Sequence, residues 1–175
     1  KDGEINPEVK NYPDKENLPK LCSNVYVLSL AYYFSGNEAY AKHASKLIKV
    51  WFLDSATAMH PHLNYGQAIK GVTDGRAEGI IEVRHFIYLL DAVELLKNSE
   101  SFKEGKRKKL VSWFKDFLNW SNENLWLKYD KSDKFKKTTK EFYFDKTYER
   151  LNKFLIENKL TEEPIQINGV IVPPV

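Results

Sequence analysis

Two sets of side chains in this chain have the types and spacing to do chemistry. The first is Met59-His60-Pro61-His62-Leu63-Asn64-Tyr65-Gly66-Gln67, which gathers two imidazoles, two amides and a phenol within a single short segment. Two histidines two residues apart are able to ligate Zn²⁺ from an extended segment. The other histidines, His43 and His85, fall on predicted helices, so no third ligand presents itself and no metal is expected. The competing reading has these imidazoles bonding loop backbone or lining a polar cleft. The second set is basic: Lys106-Arg107-Lys108-Lys109 and Lys134-Phe135-Lys136-Lys137. Such runs attract polyanions, namely nucleic acid, acidic polysaccharide or anionic lipid; the competing reading is a solvated helix face.

The rest of the sequence narrows the field. It has 175 residues, 42% hydrophobic and 29% charged, which is one domain's worth of chain with enough apolar side chains for a core. Its single cysteine excludes a disulfide framework within the chain and any Cys-based zinc site. No apolar run approaches the ~18 residues of a membrane span. The sequence begins at Lys1 without an apolar signal region, and reads as mature material or a fragment. There is no Gly-rich phosphate loop and no Gly-x-Ser-x-Gly elbow. Lys42, Lys46 and Lys49 offer little for direct base readout by a recognition helix, so no nucleic-acid partner is expected. The net charge of +3 is uneven. Residues 1–100 carry 11 basic and 13 acidic groups, and residues 101–175 carry 16 and 11.

These groups must be positioned by helices. Residues 1–17 read as loop, with Asn17 as N-cap of a first helix whose stripe is Leu18, Leu21, Cys22, Val25, Leu28 and Tyr32. Gly36 stops it, and Asn37 caps a second helix with Tyr40, Ala44, Leu47, Ile48 and Trp51 on one side. Residues 54–79 break the pattern as a long loop, the kind that usually carries function. A third helix is predicted over 78–97 through Ile80, Val83, Ile87, Leu90 and Glu94. A fourth covers 104–120 with Leu110, Trp113, Phe114 and Phe117 inward and the lysines opposite. Residues 121–140 read as a Lys-rich loop. A fifth helix is predicted over 141–158 through Phe144, Tyr148, Leu151 and Leu155. The end, with Asn168-Gly169 between very short apolar arms, reads as a short strand pair or an unpaired tail.

The loop with its neighbours, Trp51-Phe52-Leu53-Asp54-x-Ala56-Thr57-x-Met59-x-Pro61-x-Leu63-Asn64-Tyr65-x-Gln67, resembles the polysaccharide lyase family that contains bacterial alginate lyases. Asp2-Gly3-x-x-Asn6-Pro7, Leu30-Ala31-Tyr32-Tyr33-Phe34-x-Gly36-x-x-x-Tyr40-Ala41, Gly79-Ile80-Ile81-x-x-Arg84-His85 and Trp113-Phe114-x-x-Phe117-Leu118-x-Trp120 resemble further segments of it in order. The resemblance spans about residues 2–120. It implies an all-α fold, a partial (α/α) toroid or barrel of antiparallel helical hairpins; the possible β structure of the short C-terminal tail is read from its own residues and not from the resemblance. The resemblance also implies β-elimination of an acidic polysaccharide without a cofactor, in a secreted or periplasmic protein.

By the resemblance, Asn64, Tyr65 and Gln67 match the family's sugar-contacting loop, and Arg76 matches an Arg placed to meet a uronate. His60 and His62 stand where the family usually has Asn, and add imidazoles to the cleft. Each has a bland alternative: a packed ring for Tyr65, loop-bracing amides for Asn64 and Gln67. Arg84 and His85 are expected to brace the fold. The family's Asn-Asn-His-Gly segment, whose Asn and His neutralise the substrate carboxylate, has no counterpart after Trp120, where this chain has Asn122-Glu123-Asn124 and no histidine. No catalytic residue is therefore assigned. The expected organisation is a lyase-like helical domain over 1–120, incomplete as a toroid, and a divergent Lys-rich tail over 121–175. The partner is a uronate polysaccharide such as alginate. The alternative is a non-catalytic sugar-binding module or a helical interaction scaffold.

Overall fold

The structure, a computed structural model, describes residues 11, 13–69, 71–75, 77–121, 145–158, 165–167 and 170–172. Helix α1 spans Asp14–Ser35 and α2 spans Glu38–Ile48, which runs on into a π-helical turn, Lys49–Leu53. A 3-10 helix, Ala77–His85, leads into α3, Phe86–Leu95. Helix α4 is Glu104–Ser121 and α5 is Asp145–Glu157. Two three-residue strands, β1 (Ile165–Ile167) and β2 (Val170–Val172), pair antiparallel with Ile165 opposite Val172. The strand pair flanks Asn168-Gly169, residues which themselves lie outside the described set.

Helix α1 begins three residues before Asn17, because the Pro13 carbonyl already accepts the N–H groups of Glu16 and Asn17 at 3.0 and 2.9 Å. It ends where Gly36 takes a φ of 68°, a left-handed conformation that glycine adopts without a Cβ penalty, and gives its N–H to the Tyr32 carbonyl. One residue on, the Asn37 side chain accepts the Ala39 N–H at 3.0 Å and starts α2. The connection is too short for anything but a helical hairpin. Tyr40, expected in the α2 stripe, is 41% exposed; the buried line is Ala41, Ala44, Ser45 and Ile48.

Helix α1 packs on α2 and α3, and α5 packs on α3 and α4. The core between them is aromatic. Phe86 meets Phe114 edge-on at 5.4 Å and 82°, Phe52 meets Trp113 at 4.8 Å and 77°, and Phe114 meets Phe154 of α5 at 5.9 Å and 78°. These T-shaped contacts set ring edges against ring faces, the arrangement that aromatic quadrupoles favour. Leu151 and Leu155 of α5 belong to the same buried cluster, as predicted for that helix, whereas Phe144 lies outside the described residues. Cys22 is fully buried, and burial pushes its thiol up to about 12, so it serves as a small apolar side chain.

The basic run on α4 divides by function. Arg107 is buried, donating to Glu94 at 2.8 Å and Asn158 at 2.7 Å. Lys106 donates to the Ser45 hydroxyl and the Ser101 carbonyl, at 2.9 and 2.8 Å. Lys108 and Lys109 remain on the solvated face. The run Lys134–Lys137 lies outside the described residues. Among the described residues, no helix is long and apolar enough to cross a membrane.

Candidate functional site

The loop that follows α2 is anchored at both ends. Asp54 closes the π turn through its N–H to the Lys49 carbonyl, and its own carbonyl accepts Thr57 and Ala58. The Met59 N–H returns to the Trp51 carbonyl at 2.8 Å. From there, α4 holds the loop. Trp113 and Trp120 are seven residues apart, two turns along one helix face. The Trp113 indole donates to the Met59 carbonyl at 2.8 Å, and the Trp120 indole donates to the Asn64 side-chain oxygen at 2.9 Å. The stretch between is thus laid along α4, with Leu63 and Met59 packed against the core.

Four of the sequence-predicted site residues come together here. The His60 and His62 rings stack in parallel, 5.6 Å between centroids and 7° between planes. His62 also faces Tyr65 at 6.3 Å and 72°, and Trp120 at 6.2 Å. Asn64 stands between His62 and Tyr65 in sequence, with its amide tied to Trp120. Tyr65 is 74% exposed, so the packed-ring alternative does not hold for it. Asn64 does carry a bracing bond, and so does Gln67, whose amide donates to Glu82 on the 3-10 helix at 3.1 Å. The Gln67 φ of 54° is the one left-handed conformation found at a non-glycine among the described residues. That costs on the order of 1–2 kcal/mol, which the surrounding contacts must hold in place. Arg76 lies outside the described residues.

Glycines fix how closely the loop meets the 3-10 helix. A Cβ built on Gly66 would stand 2.9 Å from the Gly79 Cα, and one on Gly75 would run into the Asn64 carbonyl. Only hydrogen side chains allow this approach. The 3-10 segment itself carries two acids, Glu78 and Glu82, and two bases, Arg84 and His85. Arg84 donates to the His85 Nε2 at 3.1 Å, and burial together with the Arg84 charge holds His85 below the usual imidazole range.

Trp120 and Glu82 were not singled out as site residues by the sequence. The seven-residue Trp113–Trp120 spacing was the available signal for the first; nothing in the sequence signals the second. A separate cleft of about 470 Å³ opens among Glu94, Lys97, Arg107, Arg150, Lys153 and Glu157. Its guanidinium groups are already matched, Arg107 by Glu94 and Arg150 by Asp91 at 2.8 Å. Among the described residues, no three His, Cys, Asp or Glu side chains converge as metal ligands.

The model of the alginate lyase family matches residues 1–125. Among solved structures, an alginate lyase from Bacteroides ovatus is similar at 33% sequence identity and a TM-score of 0.73. The superposition covers 91% of this chain and 41% of that one, so the chain spans less than half the length of the solved lyase. Comparison with curated proteins found no match. The fold is all-α in class, an arc of the helical toroid, and its type is that of a polysaccharide lyase domain. Matched over most of its length by the family model, the chain belongs to the alginate lyase family.

Proposed function

We propose that the chain is a lyase-family domain that binds a uronate polysaccharide such as alginate on the 59–67 loop, as part of a secreted or periplasmic protein that cleaves the polymer by β-elimination. The observation that carries this reading is the convergence of His60, His62 and the exposed Tyr65 ring beside an Asn64 fixed by Trp120. An exposed aromatic ring can stack on a sugar face. Imidazoles and amides can bond ring hydroxyls and carboxylates, most strongly when the pairing is charge-assisted. Arg76 is proposed to meet a neighbouring uronate.

In β-elimination the C–H bond beside the carboxylate breaks, a C=C bond forms, and the glycosidic C–O bond breaks with its electron pair. The leaving oxygen takes a proton. The hydrogen to be removed is only weakly acidic until the carboxylate's charge is neutralised, so groups that neutralise it supply the main acceleration. A second reading is binding without cleavage. It is favoured by Asn122-Glu123-Asn124, which stands after Trp120 where the resembled family carries its Asn-Asn-His-Gly segment.

One experiment separates the outcomes. The purified chain is titrated with an alginate hexasaccharide and with a neutral hexasaccharide, and ultraviolet absorbance of the unsaturated product is followed in parallel. Saturable binding of the acidic sugar alone, with little or no rise in absorbance, is the expected result. A clear rise would overturn the second reading, and equal or absent binding of the two sugars would overturn the first.

A further inference from the structure

We propose that the stacked His60–His62 pair is a proton-linked carboxylate receptor, so that the loop binds an acidic sugar with uptake of protons and holds it more tightly as pH falls. The inference rests on the binding reading above and adds to it a charge that the loop's amides cannot supply. The two rings are parallel, 5.6 Å apart, and attached to one short segment whose backbone closes locally, the His62 N–H meeting the His60 carbonyl at 2.7 Å. An anion at their edges can therefore reach both rings without rearranging the loop. His60 is exposed and His62 half-buried, so the pair is open to a ligand from solvent.

Imidazole is the side chain that changes charge between about pH 5 and 8. A carboxylate placed against it favours the charged form. Linkage then works in both directions: protonation raises anion affinity, and anion binding raises proton occupancy by the same factor. Among the described residues, Tyr65 from the loop and Trp120 from α4 face His62 through their rings. Asp116, one turn before Trp120 on α4, is exposed to solvent. Glu82 on the 3-10 helix faces Gln67, and Asp54 at the loop's start pairs with Lys49 at 3.6 Å. The Asn64 N–H approaches the His62 Nδ1 at 3.5 Å, at the outer edge of hydrogen-bond range. Uronate carboxylates stay ionised across this range, so the pH response belongs to the protein.

The test is calorimetric titration of the full chain with an alginate hexasaccharide at constant ionic strength. It is run at about pH 5.5 and about pH 8, in buffers of different ionisation enthalpy. The expected result is about tenfold tighter binding at the lower pH, with net proton uptake. The His60→Gln/His62→Gln variant is expected to bind with one affinity at both pH values and without proton uptake. The single variants His60→Gln and His62→Gln, each checked for its helical circular dichroism, are expected to keep a reduced pH response. Wild-type binding that is equal at both pH values, or a pH response that survives in the double variant, would overturn this inference while leaving the binding reading intact. Absence of binding at every pH would overturn both.

Discussion

At the residue scale, much of the polar chemistry near the site goes to holding loops. Asn64 and Gln67 each spend an amide group on a partner remote in sequence, Trp120 and Glu82. The same economy appears at Glu38, the first residue of α2. Desolvation alone would raise its carboxyl. The Ser101 and Ser99 hydroxyls at 2.7 and 2.9 Å and the Glu100 N–H at 3.1 Å outweigh that and hold it below the ordinary carboxylate value. The folded state thus binds fewer protons here than the unfolded chain. Its stabilisation is present above the unfolded carboxyl value of about 4.3 and is lost as pH falls through the lowered folded value. Glu38→Gln should therefore cost about 1–2 kcal/mol in denaturant unfolding near neutral pH, the difference between charged and neutral hydrogen bonds. The gap should close on acidification below the carboxyl range. A gap that stays constant with pH would show that the charge is not what holds the α3–α4 connection to α2.

At the scale of elements, the helices were legible where one face is buried and capped. Gly36-Asn37 marked the α1–α2 turn because glycine suits the left-handed stop and an amide suits the start. Helix α4 was legible through Leu110, Trp113, Phe114 and Phe117, all buried. The predicted third helix was only half right. Residues 77–85 wind as a 3-10 helix, and Phe86 and Leu89 bury beside the expected Val83 and Leu90. Periods of 3.0 and 3.6 differ too little over nine residues to be told apart by an apolar stripe. The contact of Gly79 with Gly66, which brings that segment against the loop, is invisible to any local pattern. The site was legible in its residue types but not in its supports. Trp120 lies 56 residues from Asn64, and only the fold brings them together. Gly66→Ala tests this positioning, because its Cβ would meet backbone rather than a side chain that can move. The substitution should lower hexasaccharide affinity at least as much as it lowers the melting temperature. A variant that melts lower yet binds as wild type would show that the Gly66–Gly79 contact does not set the binding geometry.

At the scale of the whole molecule, two surfaces among the described residues are candidates for the proposed acidic polymer: the 59–67 loop and the lysines on the outer face of α4. The structure weakens the case for the lysines. Lys106 and Arg107 are committed to Ser45, Ser101, Glu94 and Asn158, which leaves Lys108 and Lys109 exposed and screened by salt. The loop, by contrast, presents an exposed Tyr65 beside two imidazoles on a backbone braced by two tryptophans. The direct measurement is the affinity of the chain for an alginate hexasaccharide after Tyr65→Ala, set against Lys108→Ala/Lys109→Ala at near-physiological salt. Losing the ring should weaken binding by about 1–3 kcal/mol, the scale of an aromatic contact with its hydrogen bond, while the lysine pair should matter mainly at low salt. The opposite ranking, with Tyr65→Ala binding as wild type and the lysine variant losing affinity, would contradict the assignment of the loop as the uronate site.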